Sequence, residues 1–221
     1  TLYGGLGMID RTSRNVMTIE DPVEYHLEGI SQTQVNVKRG VTFAAGLRSL
    51  LRQDPDVILV GEIRDRETAE LAVQASLTGH LVLATLHTND APSALARLVN
   101  IGIEPFMVTS TLLAVMAQRL VRRTCTVCRG TGHAVDGVAS PDAVGGGRCE
   151  NCFGTGYRGR IGVFEIMEMT DELRRLTIER VDAVTLAEAA KAAGMRTMMD
   201  DGLEKVAAGL TTEAELRRVL R

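Results

Sequence analysis

The chain has 221 residues, 45% of them hydrophobic and 24% charged, with a formal net charge of -3. That length admits one large domain, or a core with one or two small appendages. The charge argues against a basic field for nucleic acid or an anionic membrane, and 3% aromatics without tryptophan argue against base-stacking platforms. No apolar run approaches the roughly 20 residues of a membrane-spanning helix, and no export signal is recognised, so the cytoplasm is the expected compartment.

In chain order, Val16 to Glu20 is a β-prone run that carries carboxylates to its tip. Gln32 to Val37 alternates as an edge strand or hairpin arm would. Thr42 is the expected N-cap of a helix with Phe43, Leu47, Leu50 and Leu51 on its apolar face. Val57 to Val60 is a continuous apolar run of the kind buried in a parallel sheet. A helix from Asp65 to Leu77, a second buried strand from Leu81 to Thr85 and a helix from Ala91 to Asn100, capped by Asp90, follow. This alternation predicts a wound α/β sheet, with ligands at the C-terminal ends of its strands. Pro105 to Arg122 reads as one further helix. From Thr124 to Gly159 the texture is Gly, Cys and Thr, with a flexible stretch at Gly145, Gly146 and Gly147. Short helices are expected over Asp171 to Glu179, Thr185 to Ala193, Met198 to Ala208 and Thr211 to Leu220, with Thr185 and Glu188 at capping-box spacing.

Three stretches carry chemistry. Val57 to Asp65 (VILVGEIRD) has the shape of a Walker B element, a buried strand with an acid at its tip. Gly61 stands where an Asp is usual, and Glu62 is the acid; an ordinary strand with a charged turn is the alternative. In Thr18 to Tyr25 (TIEDPVEY), Glu20, Asp21 and Glu24 crowd three carboxylates around Pro22. Mg²⁺, which favours oxygen ligands, would relieve that crowding, and a solvated acidic turn is the alternative. In Gly79 to Asn89 (GHLVLATLHTN), His80 and His87 flank a strand seven residues apart, and Thr85, His87 and Thr88 are candidate donors to a γ-phosphate. Taken singly, these histidines also read as structural.

In their joint order these stretches closely resemble the Asp box, Walker B box and His box of the secretion-superfamily ATPases of type II secretion and type IV pilus assembly. The resemblance covers nearly the whole chain. It implies a RecA-like P-loop ATPase core (α/β) over residues 1–120, a tetracysteine knuckle over 121–160 and a C-terminal helical subdomain over 161–221. It further implies Glu20 as general base, Glu62 as the residue that positions water and the Mg²⁺ shell, and His80 and His87 as γ-phosphate sensors. Asp21, Glu24 and Thr85 are expected to bind the Mg²⁺-ATP cofactor. Arg48, Arg52 and Arg64 fall in the family's marked segments and are expected to bridge acids or phosphates, with plain ion pairs as the alternative. For Arg158 and Arg160 a plain structural role is the expected reading of each alone, with contact to a neighbouring subunit or the nucleotide as the alternative. The implied whole is a hexameric motor, docked from the cytoplasm on an inner-membrane platform protein. A nucleic-acid translocase and a zinc-dependent binding module without enzymatic activity are the competing readings. The family's G-x-x-x-x-G-K-T/S loop is expected immediately before Thr1 and is absent from the 221 residues, so this stretch alone is expected to hydrolyse little ATP, fold weakly and associate weakly.

Cys125-x₂-Cys128 and Cys149-x₂-Cys152 are separated by 20 residues, a spacing that predicts a closed tetrahedral zinc site. A redox dithiol is the weaker alternative. Gly130, Gly132, Gly154 and Gly156 would permit positive φ in the knuckle turns. Both turns also fit the C-x-x-C-x-G-x-G repeat of DnaJ-type chaperones, read here as shared knuckle geometry. The tetracysteine resemblance favours assembly or secretion ATPases over pilus-retraction ones.

Overall fold

In the computed structural model, which describes residues 1–133 and 147–220, contacts divide the chain into two units. The first comprises Thr1–Leu113 with Met169–Ala187, the second Ala114–Glu168 with Glu188–Arg221. The boundaries expected at 120 and 160 fall inside two long strands, β5 (Ala114–Thr124) and β6 (Tyr157–Glu168), which pair with each other and so keep both ends of the knuckle in one unit. Gly145 and Gly146 lie outside the described residues.

The first unit holds α1 (Leu2–Leu6), β1 (Val16–Glu20), β2 (Ser31–Gln34), α2 (Phe43–Leu50), β3 (Val57–Val60), α3 (Arg66–Leu77), β4 (Leu81–Ala84), α4 (Pro92–Ile101), α5 (Pro105–Thr111) and α6 (Asp171–Ile178). Its strands form a wholly parallel sheet in the order β2-β1-β3-β4. β1 and β3 are central and buried at every residue, as strands covered on both faces must be. On one face Val16, Val57 and Leu59 pack on Leu6 of α1. On the other, Ile19 meets α2 so closely that a Cβ on Gly46 would lie 2.7 Å from the Ile19 Cδ1. Thr42 and Asp65 cap α2 and α3 through the amides of Ala45 and Thr68, each satisfying an orphan N–H.

β4 departs from expectation. It is half-exposed, with Leu81 at 42%, because among the described residues it pairs on one side alone. The helix expected over Pro105 to Arg122 ends at Thr111, and the chain enters β5 three residues later.

The second unit is built on β5 and β6, antiparallel from Ala114↔Glu168 to Thr124↔Tyr157, with an irregularity after Arg122. Ala117, Val121, Val163 and Met167 form its buried side. α8 (Met198–Ala207) and α9 (Glu213–Val219) belong to this unit, and a Cβ on Gly202 would lie 2.7 Å from the Leu216 Cδ2, a measure of how close the two helices are. α7 spans Ala183–Ala192, and Asp182, rather than Thr185, caps it through the amides of Val184 and Thr185. The capping box sits instead at Thr197 and Asp200.

Candidate functional site

Parallel pairing decides which groups meet. β1 and β3 are neighbours with Ile19 opposite Val60, and β3 and β4 with Val60 opposite Ala84. Glu20, Glu62 and Thr85 therefore leave three adjacent strands at the same, C-terminal, end of the sheet. The position where an acid is usual is glycine for a steric reason. A Cβ on Gly61 would lie 3.2 Å from both the Glu20 Cα and the Ile19 carbonyl oxygen, so the acid moves one residue on.

Glu20 is 4% exposed and Glu62 8%. Burying a carboxylate is unfavourable unless it is paired or hydrogen-bonded, and both are. Thr18 Oγ1 donates to Glu20 Oε1 at 2.5 Å, Gln32 Nε2 donates to the same oxygen at 3.3 Å, and the Tyr3 hydroxyl donates to Oε2. Those three donors take three of the roughly four lone-pair sites of a carboxylate. Burial and then the Glu20 hydrogen bond push the Tyr3 phenol above its ordinary value, which keeps it a donor. Glu62 Oε2 forms an ion pair with Arg64, 2.6 Å from its Nε, and sits 3.0 Å from His87 Nε2. Thr85 Oγ1 donates to the Gly61 carbonyl at 2.5 Å, and the Ile63 amide donates to the Thr85 carbonyl at 2.9 Å, so β4 steadies the turn that carries Glu62.

The structure thus brings Glu20, Glu62, Arg64, Thr85 and His87 to one end of the sheet. His80 is not among them. It precedes β4 at the opposite end, where its Nδ1 lies 2.8 Å from the Ala75 carbonyl and 3.0 Å from Thr78 Oγ1, a structural environment. Asp21 and Glu24 are exposed. Arg48 pairs with Glu67 at 2.5 Å, linking α2 to α3. Tyr3, Thr18 and Gln32 were not singled out in the sequence. The available signal was polar Thr18 and Glu20 alternating on one face of an otherwise apolar buried strand, with Gln32 in register opposite Thr18.

A family model described as Type II/IV secretion system protein matches residues 1–218. The chain belongs to that family. It is similar to Type II secretion system protein HxcR of Pseudomonas aeruginosa PAO1, 55% identical over 100% of this chain and 45% of that protein. To Type IV pilus assembly ATPase PilB of Thermus thermophilus it is 46% identical, over 98% of this chain and 26% of that one. The chain thus spans less than half the length of these two relatives. Among solved structures, the pilus retraction motor PilT with bound ADP superposes with a TM-score of 0.68 at 29% identity, over 93% of this chain and 52% of PilT. The Legionella pneumophila ATPase DotB gives 0.67 at 24%, over 95% and 52%, and supports the fold alone. The ATPase-core architecture implied by the three boxes is therefore the one observed.

The second unit of this family member carries the tetracysteine centre, whose halves are near copies. Gly132 N donates to Cys128 Sγ at 3.4 Å and Gly156 N to Cys152 Sγ at 3.3 Å. Cys125 N donates to the Gly156 carbonyl and Cys149 N to the Gly132 carbonyl. Gly132 and Gly156 both have φ of 77°, and a Cβ on either would lie within 2.5 Å of a backbone oxygen of the other half, so the two turns interlock only as glycines. All four sulfurs lie within 4.8 Å of one another, with Cys128 and Cys152 3.6 Å apart. A zinc–sulfur bond of about 2.3 Å implies a tetrahedral edge of about 3.8 Å. The buried all-sulfur donor set fits zinc and leaves no open ligand position. The Cys128 amide holds the Cys125 thiol down at about 6, while burial pushes Cys149 up to about 11.

Proposed function

We propose that the chain is the catalytic part of an ATP-hydrolysing motor of type II secretion or type IV pilus assembly. The observation that carries this reading is the meeting of two buried carboxylates, Glu20 and Glu62, at the C-terminal ends of adjacent parallel strands, each held by its own set of donors. Glu20 takes the proton of the attacking water at its remaining lone pair. Glu62, with Asp21 and Glu24 close after Glu20 in sequence and Thr85 at the end of the strand beside β3, supplies oxygen ligands of the kind Mg²⁺ accepts. When bound, the metal neutralises charge that develops on the transferred phosphoryl group. His87, hydrogen-bonded to Glu62 and itself exposed, is the route by which the state of that acid reaches groups beyond the site.

Zinc, held by Cys125, Cys128, Cys149 and Cys152, has a structural role. Higher identity to PilB and the secretion proteins than to PilT supports assembly or secretion over retraction. A hexamer working on an inner-membrane platform from the cytoplasmic side completes the proposal; no described helix is long and apolar enough to cross a membrane. In the full-length protein, Glu20→Gln and Glu62→Gln are each expected to lower phosphate release at least about 100-fold while nucleotide binding is retained. Either variant hydrolysing ATP at the parental rate would overturn the assignment.

A further inference from the structure

The two halves of the knuckle, Cys125-Thr126-Val127-Cys128-Arg129-Gly130-Thr131-Gly132 and Cys149-Glu150-Asn151-Cys152-Phe153-Gly154-Thr155-Gly156, align position by position. The correspondence extends to detail. Arg129 and Phe153 both have positive φ, at 51° and 52°, and Thr131 and Thr155 both donate to the carbonyl of the preceding cysteine, Cys128 and Cys152. Among the described residues, one side-chain amide donates to a cysteine sulfur, and it has no counterpart in the other half. Asn151 Nδ2 donates to Cys125 Sγ across the centre at 3.1 Å, whereas its counterpart Val127 has nothing to donate toward Cys149. Asn151 is itself fixed, because Arg158 Nη1 donates to its carbonyl at 2.9 Å and to its Oδ1.

We propose that Asn151, positioned by Arg158, is an outer clamp on one zinc ligand, and that Cys149, the unclamped counterpart of Cys125, is the one of the pair that soft electrophiles modify first. The proposal rests on zinc occupying the four cysteines. Hydrogen bonds to a zinc-bound thiolate withdraw charge from sulfur, and outer groups of this kind tune a metal's ligands. With both sulfurs held as thiolates by the metal, the one that lacks such a donor keeps more charge and is the stronger nucleophile. Both sulfurs are buried, Cys125 at 0% and Cys149 at 2% exposure, so access does not distinguish them and the hydrogen bond does. The arrangement also gives Arg158 a place in the metal centre.

The probe is N-ethylmaleimide at limiting concentration on the zinc-loaded full-length protein. The Cys149 sulfur adds to the carbon–carbon double bond, a C–S bond forms, water protonates the adjacent carbon and the zinc–sulfur bond breaks. Mass spectrometry of the peptides carrying Cys125 and Cys149 is expected to show Cys149 labelled about tenfold faster, the factor a single hydrogen bond of ordinary net strength provides. Asn151→Val is expected to bring the ratio to about one, and Val127→Asn to slow Cys149, both with zinc content unchanged at the start. Equal labelling in the parent, or a ratio indifferent to Asn151→Val, would overturn the proposal. A parent protein that holds no zinc would refute the metal reading beneath it, and the zinc assay reports that separately from the labelling.

Discussion

Glu20 shows how a buried strand can hold a charge. Thr18 lies two residues earlier and so on the same face, Gln32 reaches over from the neighbouring strand, and Tyr3 comes from α1. Each donor both compensates the burial and points the carboxylate. Thr18→Val keeps the shape and removes one donor, so Glu20 Oε1 loses its shorter partner and keeps Gln32. In the full-length protein the expected result is a fall in kcat of about tenfold with nucleotide affinity little changed. Steady-state hydrolysis beside equilibrium nucleotide binding separates the two, and an unchanged kcat would remove Thr18 from the site. These partners were hard to foresee from sequence because two of the three are distant in the chain and the third looks like an ordinary strand threonine. By contrast the placement of Glu20 and Glu62 at strand tips was legible, since each closes an apolar run, but each run alone also fits an ordinary charged turn, and it is the family resemblance that singles the two acids out.

The elements followed the sequence where local signals and packing agree. Thr42, Asp65, Thr170 and Thr212 cap their helices as short polar residues do, and Val57–Val60 is as buried as its composition requires. β5 is the exception, and its composition explains why. Met116, Ala117, Gln118, Arg119 and Leu120 are strong helix formers, while the partner that makes them a strand, β6, begins at Tyr157, far along the chain. Nonlocal pairing overrode propensity. β5 is further tied to α9 by Glu215, buried at 1%, which accepts from the Arg122 amide at 2.9 Å, from the Arg122 side chain at 2.7 Å and from Arg218 at 2.7 Å. Arg218 first, and Arg122 with it, holds the Glu215 carboxyl well below its usual range against the opposing effect of burial. A carboxyl whose folded value is depressed stabilises the fold above its unfolded value of 4.5 and loses that contribution as the pH falls below it. Amide exchange in α9 is therefore expected to accelerate as pH falls from 5 toward 3, beyond the intrinsic trend. Glu215→Gln, which removes the charge at neutral pH, is expected to cost the α9 region about 2–4 kcal/mol and to flatten that acid dependence. An α9 indifferent to both changes would show the buried carboxylate to be dispensable.

At the scale of the whole molecule, the two units are held by different physics. The first has a parallel sheet whose two central strands are covered on both faces, and its stability rests on apolar burial around β1 and β3. The second rests on a two-stranded ribbon, and an isolated pair of strands is marginal in water. Its strands are joined through residues 125–156, a connection long enough that its closure opposes pairing. The proposed zinc, gripped by two cysteines just after Thr124 and two shortly before Tyr157, would replace that long loop with a short one anchored at the strand ends. Zinc binding would then contribute directly to the folding of the ribbon's distal end. Removal of zinc by a strong chelator is expected to raise exchange at Arg122, Arg123, Tyr157 and Arg160, next to the centre, and progressively less toward Ala114 and Glu168. The amides of β1 and β3 are expected to keep their protection, since their burial owes nothing to the cysteines. Site-resolved hydrogen exchange with and without chelator, on the full-length protein, reads both at once. Uniform loss across β1, β3 and the ribbon would mean that the metal supports the entire chain, and no change at the ribbon's distal end would mean that β5 and β6 pair without it.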